Sequence, residues 1–549
     1  MSRWFPGSDS GASLEVAAFT EEGAAPSIPG PLVRVPLGTP VAVSVINDLT
    51  DTLFISGLKD PVKWDSLVVP PGARGTSTFT ADRAGMFVYQ GGTRRARRGP
   101  GDQLSGVIVV DSVGAAPSRL FVIGSWNGAP IAPVKDSTFV MTINGRTWPW
   151  TERLHFRMSD TARWQIVSVS PATHPMHLHG GFFHVEGGGD WRGDRLLPAD
   201  EQYLAATENT PLLGTFTMTW SPTHPGRWLF HCHVAFHVEP EQHDDLARRP
   251  RGAQHVHANL TEHLNTGMAG LILGIDVEGD ATPKTVTARR QLGVDLVSKP
   301  GVYANGPGIG FALPGDSLVI PGPPLLLTRG EPVAITVRNR LAEPASVHWH
   351  GIELESYYDG VAGWSGDATR PAPLIAPGDS FVVRFTPPRA GTFIYHSHVA
   401  ETRNLASGMY GGLVVLEPGA RWDPTRDHLL IFSQWGVITP GFDAPIVLNA
   451  KRDPPFGPLT AGVAHRLRLI NIAAGDMVSL ELLQGDSVIT ARRLAKDGAD
   501  LPPNQANVVP ARFQLGEGET MDIEIKPTRG DLKIAVKSYI NFESHVVVK

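Results

Sequence analysis

Short apolar runs, broken by turns, set the pattern of this chain. Pro40-Val-Ala-Val-Ser-Val-Ile-Asn47 and Pro332-Val-Ala-Ile-Thr-Val-Arg-Asn339 are typical: a few β-branched or aliphatic residues, bounded by turn residues. The 59 Gly and 47 Pro punctuate the sequence densely, and the intervals are rich in Val, Ile, Leu, Thr and Phe. That pattern predicts many short strands and few long helices, hence an all-β chain. At 549 residues it is too long for one core, and about three to five domains are expected.

Composition excludes several roles. The formal net charge is -6 with both signs interspersed, which leaves no whole-chain footprint for nucleic acid or an anionic membrane. Arg94, Arg95, Arg97 and Arg98 form the main basic run and read as a solvated loop. No apolar run has the length of a membrane span, and the first residues, Met-Ser-Arg-Trp-Phe-Pro-Gly, contain no hydrophobic signal core. A single cysteine, Cys232, rules out an intrachain disulfide and leaves the redox compartment open.

The chemistry lies in four His-X-His pairs: His177 and His179, His231 and His233, His348 and His350, His396 and His398. Residues two apart on a strand share a face, so each pair presents two imidazoles to one metal cluster. Eight such ligands imply several metals. Cys232 sits between His231 and His233 and must project from the opposite face. With His174 and His237 it makes a His2Cys set, the ligand chemistry of a blue copper electron-transfer centre with a weak axial group. Met268 is the axial candidate and Gln242 its rival.

A duplication organises the rest. Ile28 to Asn47 matches Ile320 to Asn339, and Ala84 to Gln90 repeats as Ala390 to His396, placing Gln90 and Gly92 where His396 and His398 stand. With two residues gapped, Phe54 and Ser56 fall at His348 and His350. More faintly, Thr161 to Val167 lies opposite Val463 to Leu469, which puts Asp476, Ser479 and Glu481 at His174, His177 and His179. The predicted layout is four β domains, 1–113, 114–278, 279–420 and 421–549, as Greek-key sandwiches or barrels, with ligands kept only in the middle two.

At these residues the chain resembles the multicopper oxidases, and within them laccase-like bacterial enzymes built from cupredoxin domains. The motifs are His348-Trp-His-Gly351, His396-Ser-His398, His174-Pro-Met-His-Leu-His-Gly180 and His231-Cys-His-Val-Ala-Phe-His237. The resemblance implies four copper ions: a type 1 copper at Cys232, His174 and His237, and a trinuclear cluster on the eight paired histidines. His177 and His348 would hold the type 2 copper, and His179, His231, His233, His350, His396 and His398 the type 3 pair. It also implies that His237 is the exit path for donor electrons and that Asp359 is the acid beside the cluster. The family's other acid, just after the cysteine motif, is missing, since Val234, Ala235 and Val238 stand there; Glu239 is the nearest substitute.

The motif order departs from the family, because the cysteine motif here comes first. Smaller two-domain relatives build the cluster between subunits, and a tandem duplication would bring one such interface inside one chain. One cluster is therefore expected, between domains two and three, with the outer domains as scaffold or as contacts in a homo-oligomer.

Reducing dioxygen takes four electrons, whereas phenol-like donors give one at a time, so a site must accumulate electrons. Several coppers do this, and the protein fixes their geometry. The expected activity is laccase-like: oxidation of a phenolic or aromatic amine donor, with dioxygen reduced to water, and no nucleic-acid or membrane partner. Metal-ion oxidation, of Cu(I), Fe(II) or Mn(II), is the alternative, although ten Met without a Met-rich segment speak against Cu(I). A copper nitrite reductase would not need eight paired histidines, and a non-catalytic copper-binding protein is the rival from another class. Export is expected from the family resemblance. Of the remaining histidines, His155, His184, His224, His428, His465 and His545 read as ordinary surface or core residues. His243, His255, His257 and His263 read as a solvated loop, or as an extra copper site near the type 1 centre.

Overall fold

The computed structural model describes all residues except 1, 8–12, 59–65, 94–102, 129–137, 191, 240–266, 280–286, 304–305, 435–443, 453, 455, 476 and 539–540. The basic run at 94–98, Gln242, Asp476 and the four loop histidines His243, His255, His257 and His263 thus lie outside the described residues. The expected all-β class holds. Glu401–Ser407 is the one α-helix among the described residues, and no helix there is long and apolar enough to cross a membrane.

Apart from the short pair Ser2–Trp4 and Leu14–Val16, the described strands fall into four successive groups, each with two sheets face to face. Between Val33 and Asp111 a five-stranded sheet faces the two-stranded pair Pro40–Ile46 and Arg74–Thr80. Between Arg119 and Glu278 the sheets have seven and five strands, between Arg290 and Leu416 four each, and between Asp427 and Val548 seven and five. Each group closes on its own apolar core, around Ile55 and Ile108, Trp164 and Phe230, Trp349 and Tyr395, and Leu467 and Leu532 respectively.

Period-two alternation produces these cores. In Phe542–Val548 the residues at 542, 544, 546 and 548 are buried and those between them are exposed. Each aliphatic side chain so buried contributes about 1.5–3 kcal/mol. Several strands break the alternation because both their faces are covered. Gly391–Ser397 is buried throughout: Phe393 and Tyr395 enter the third core, while Ile394 packs with Ile431 and Ile470 of the fourth group. His174–Leu178 is likewise buried at every position.

The duplication is visible in hydrogen bonds. The Tyr89 hydroxyl donates to the Pro31 carbonyl at 2.6 Å, and the Tyr395 hydroxyl to the Pro323 carbonyl at 2.6 Å. Under the two rings lie Gly106 and Gly411, where a β-carbon would collide with the tyrosine. Asn144 and Asn449 match in the same way, each accepting from and donating to the strand beside it.

These contacts correct the alignment at the blank sites. Ser56 lies opposite Gln90 as His348 lies opposite His396, so Ser56, and not Phe54, takes the place of His348. The two-residue gap is unnecessary. In the second repeat, Leu178 N–H donates to Ala206 O and Leu482 N–H to Ala511 O, which equates the two leucines. Glu481 therefore stands at His177 and Val478 at His174, two residues on from the sequence alignment of His177 with Ser479. Faint similarity alone left that register free to slip by an even number, which preserves the facing of every side chain.

Candidate metal centre

Strands His174–Leu178 and Gly226–Cys232 pair antiparallel, with Met176 opposite Cys232 and His177 opposite His231. Alternation then sorts the side chains: His174, Met176, Leu178 and Cys232 share one face, and His177, His179, His231 and His233 the other. On the first face the Cys232 Sγ lies 3.7 Å from His174 Nδ1 and 3.3 Å from His237 Nδ1, His237 ending the short turn Ala235–His237. The three ligand atoms lie within 4.8 Å of one another, all buried. Met268 is buried in the same apolar cluster as Cys232, and the neighbouring Ala269 and Leu271 amides donate to Val238 and His237 carbonyls.

On the second face the third group supplies the facing half. Val347–His350 pairs with Gly391–Ser397, bringing His348 opposite His396. His177 Nε2 and His348 Nε2 are 3.3 Å apart, and His179 Nε2 and His231 Nε2 are 2.9 Å apart. Two trios form, His179, His231, His398 and His233, His350, His396, each within 4.8 Å. Each trio mixes ligands from both groups, two and one, then one and two. All eight paired histidines thus meet at one boundary.

Burial lowers the proton affinity of these rings, to about 3 for His174, about 4 for His231 and about 4 for His396. His177, His179, His233, His348, His350 and His398 are held well below the usual imidazole range by burial first, then by their neighbours' charge. Neutral imidazole is the form that binds metal. Burial also pushes the Cys232 thiol up.

The outer nitrogens are anchored. His177 Nδ1 lies 2.9 Å from Ala206 O, His179 Nδ1 2.8 Å from Asp359 Oδ2, His348 Nδ1 2.7 Å from Asp359 O, His231 Nδ1 2.8 Å from Cys232 O and His396 Nδ1 2.8 Å from Ser397 O. Such partners set the tautomer and aim the other nitrogen inward. Five further ring nitrogens, His233 Nδ1 and Nε2, His350 Nδ1, His396 Nε2 and His398 Nε2, are buried without a hydrogen-bond partner. Leaving buried polar atoms unpaired costs about 1–3 kcal/mol each. Soft thiolate with imidazoles in one set and imidazoles alone in the other suit copper.

Asp359 lies where expected. Its Oδ2 also accepts from Ser365 Oγ at 2.9 Å, and burial raises its proton affinity. Three contributions escaped sequence reasoning. Glu401, on the helix after the His-Ser-His motif, places Oε1 3.4 Å from His398 Nδ1, and burial with the Glu239 charge pushes it up to about 8. Its spacing three residues after His398 was the available signal. From the fourth group, Asp497 accepts the Ala206, Thr207 and Thr520 amides at 3.0, 2.9 and 2.9 Å, and Thr207 Oγ1 lies 3.2 Å from both His177 Nδ1 and His350 Nε2. Gly518, with φ of +79°, approaches the His233 ring so closely that no β-carbon fits. Nothing local marks Asp497 or Gly518.

Of the histidines read as ordinary, His428 and His465 form a buried pair, with His465 Nε2 accepting the Thr460 amide at 2.9 Å, and exposed His545 faces Asp531.

A chain with a buried thiol–imidazole trio backed directly onto eight clustered imidazoles belongs to the class of multi-site copper proteins. Residues 127–242 and 318–420 each match a family profile described as multicopper oxidase, and these segments contain every predicted ligand but Met268. Both segments are multicopper oxidase domains, and together they make up less than half of the chain. It is similar to the multicopper oxidase MmcO of Mycobacterium tuberculosis, 34% identical over 175 residues, which is 31% of this chain and 31% of that protein. It is also similar to copper resistance protein A of Escherichia coli, 33% identical over 165 residues, 27% of this chain and 26% of that protein. The match thus spans about a third or less of either relative. The blue copper oxidase of Nitrosomonas europaea superposes with a TM-score of 0.39 at 23% identity, over 47% of this chain and 86% of that one.

Proposed function

We propose that the chain is a laccase-like oxidase that takes single electrons from phenolic or aromatic amine donors and reduces dioxygen to water. The observation that carries the reading is the position of Cys232, whose thiol belongs to one ligand set while His231 and His233, its covalent neighbours, belong to the other. In this reading His174, Cys232 and His237, with Met268 as a weak further ligand, would hold the type 1 copper, His177 and His348 would hold the type 2 copper, and the two trios would hold the type 3 pair, four ions per chain. Domain limits are 1–113, 114–278, 279–420 and 421–549, the outer two without copper and available for subunit contacts.

When bound, the coppers supply one-electron storage and dioxygen reduction. The chain's own groups do the rest. Two backbone-linked side chains on either side of Cys232 give the shortest covalent path between the sites, and His237 is the donor-side ligand. Asp359 orients His179 through Oδ2 and His348 through its backbone carbonyl, fixing both inward nitrogens. Forming water also consumes protons. Glu401, pushed up to about 8, holds one on its carboxyl at neutral pH, beside His398. It stands in for the acid missing after the cysteine motif, which Glu239 does not replace directly, since Glu239 Oε1 accepts the Thr402 amide at 2.7 Å.

The similarity to a protein named for copper resistance makes a metal ion the second donor class. Oxygen-electrode measurements on copper-loaded protein, with a phenolic donor and separately with Cu(I), Fe(II) and Mn(II), test both. Phenol-dependent uptake is expected; a full blue absorption band with no uptake on any donor would sink the oxidase reading.

A further inference from the structure

The turn that carries His237 hangs from the fourth group of strands. Ala235–His237 is a single short turn whose start has no side-chain cap, and its own bonds are the His237 amide to Val234 O at 2.9 Å and the Val238 amide to Ala235 O at 3.1 Å. The Ala235 amide at its start donates instead to the Ala474 carbonyl at 2.9 Å. Ala474 is itself held. Its amide donates to Gln434 Oε1 at 3.0 Å, and Gln434, the last residue of strand Asp427–Gln434, is 2% exposed. The residues before it are fixed as well, with the Ile472 amide donating to Phe432 O at 2.9 Å and the Ala473 amide to Asn471 Oδ1 at 3.0 Å. The next residue, Gly475, lies against the Phe236 ring, where a β-carbon would come within 2.6 Å of Cε1. Phe236 in turn packs edge-on to His237, with ring centres 4.4 Å apart.

The repeat shows that the sandwich does not need this arrangement to close. Phe432 pairs with Asn471 as Ile123 pairs with Ser168, so Gln434 corresponds to Ser125 and Ala474 to Pro171. Proline has no amide to donate. Ser125 Oγ is buried without a hydrogen-bond partner. The second group thus folds with neither the donor nor the acceptor of the pair. In the fourth group the pair is present, and the carbonyl it fixes is the one that receives Ala235.

We infer that Gln434 is a positioning residue of the thiol–imidazole site. Through the Ala474 amide it fixes the carbonyl that holds Ala235, and so the angle at which His237 Nδ1 meets Cys232 Sγ, 3.3 Å away. The inference rests on reading His174, Cys232 and His237 as type 1 ligands. Beyond the turn, the Leu271 amide donates to His237 O at 3.1 Å and the Ala269 amide to Val238 O at 2.8 Å. The turn is therefore pinned at its end by its own group and at its start by the fourth. Releasing the start leaves His237 tethered on one side, free to swing out of the trigonal set on which a blue copper centre depends.

The test uses the full chain, copper-free and copper-loaded. Gln434→Leu removes the acceptor, Gln434→Glu keeps an acceptor oxygen, and Tyr89→Phe, in the first group, controls for a hydrogen bond lost elsewhere. In the copper-free protein the Ala235 and His237 amides should exchange about fivefold or more faster in Gln434→Leu, stay near the parent in Gln434→Glu and be unchanged in Tyr89→Phe. In the copper-loaded protein the blue band and the type 1 hyperfine splitting should shift in Gln434→Leu and return toward the parent in Gln434→Glu, with the type 2 signal unmoved. If Gln434→Leu does not fold, Gln434→Ser, which copies the second group, is read in the same way. A parent without a blue band would defeat the type 1 reading alone, and the exchange rates would still decide whether Gln434 holds the turn. Parent-like exchange in Gln434→Leu, equal acceleration in Tyr89→Phe, a parent-like blue band in Gln434→Leu, or no recovery in Gln434→Glu would each overturn the proposal.

Discussion

Removing the Asp497 carboxylate should loosen the metal centre from a distance in sequence of almost three hundred residues. Its two oxygens accept three buried amides, those of Ala206, Thr207 and Thr520. Asp497→Ala leaves all three donors without an acceptor. At the lower end of about 1–3 kcal/mol for each buried donor left unsatisfied, the local cost is about 3 kcal/mol. Because about 1.4 kcal/mol is a factor of ten, hydrogen exchange of the Ala206 and Thr207 amides should accelerate about a hundredfold by local opening. Asp497→Asn keeps one oxygen and should give an intermediate acceleration. Thr207 Oγ1 touches His177 and His350, so the electron paramagnetic resonance of copper-loaded Asp497→Ala should show an altered type 2 signal. Mass-spectrometric exchange with Val546, in the far sheet, as the control reads the effect. Rates at 206 and 207 within threefold of the parent, or equal acceleration at Val546, would refute the reasoning.

Other perturbations follow the same geometry. Cys232→Ser should abolish the blue band and donor oxidation while the eight-histidine cluster retains about three of four coppers by metal analysis; preserved donor oxidation would contradict the covalent path. Glu208 is pushed up to about 7 by burial beside Glu519, against the pull of Lys496, so the fold keeps it protonated where the unfolded chain ionises it near 4.5. A raised carboxylate costs stability as pH rises from 4.5 to 7, and Glu208→Gln should flatten the urea midpoint across that window. Tyr395→Phe strands the Pro323 carbonyl and should cost about 1–2 kcal/mol in chemical unfolding, with Tyr89→Phe a matched loss at Pro31.

The metal ligands were legible because their chemistry is written locally. Spacing of two on a strand fixes a shared face, and one residue between two histidines must take the other, so Cys232 could be separated from His231 and His233 by periodicity alone. The sandwiches were legible for the same reason, through short apolar runs and the repeat. Register at the blank sites was not: Ser56 and Glu481 sit where they do because of pairing with Gln90 and with the strand at Arg512, which a one-dimensional comparison cannot weigh against a gap.

The sequence by itself determined that this is an all-β, duplicated chain with a thiol–imidazole set and eight paired imidazoles. Tertiary structure decided how six of the eight divide into two trios, two and one against one and two from the second and third groups of strands, and which acids stand beside them. It also made the fourth group of strands part of the surroundings of the site, through Asp497 and Gly518. Ligand identity follows from side-chain chemistry and a two-residue period, whereas the surroundings of a buried site are contributed by whichever distant backbone happens to close over it. That closure depends on packing, and no short-range pattern in the chain encodes it.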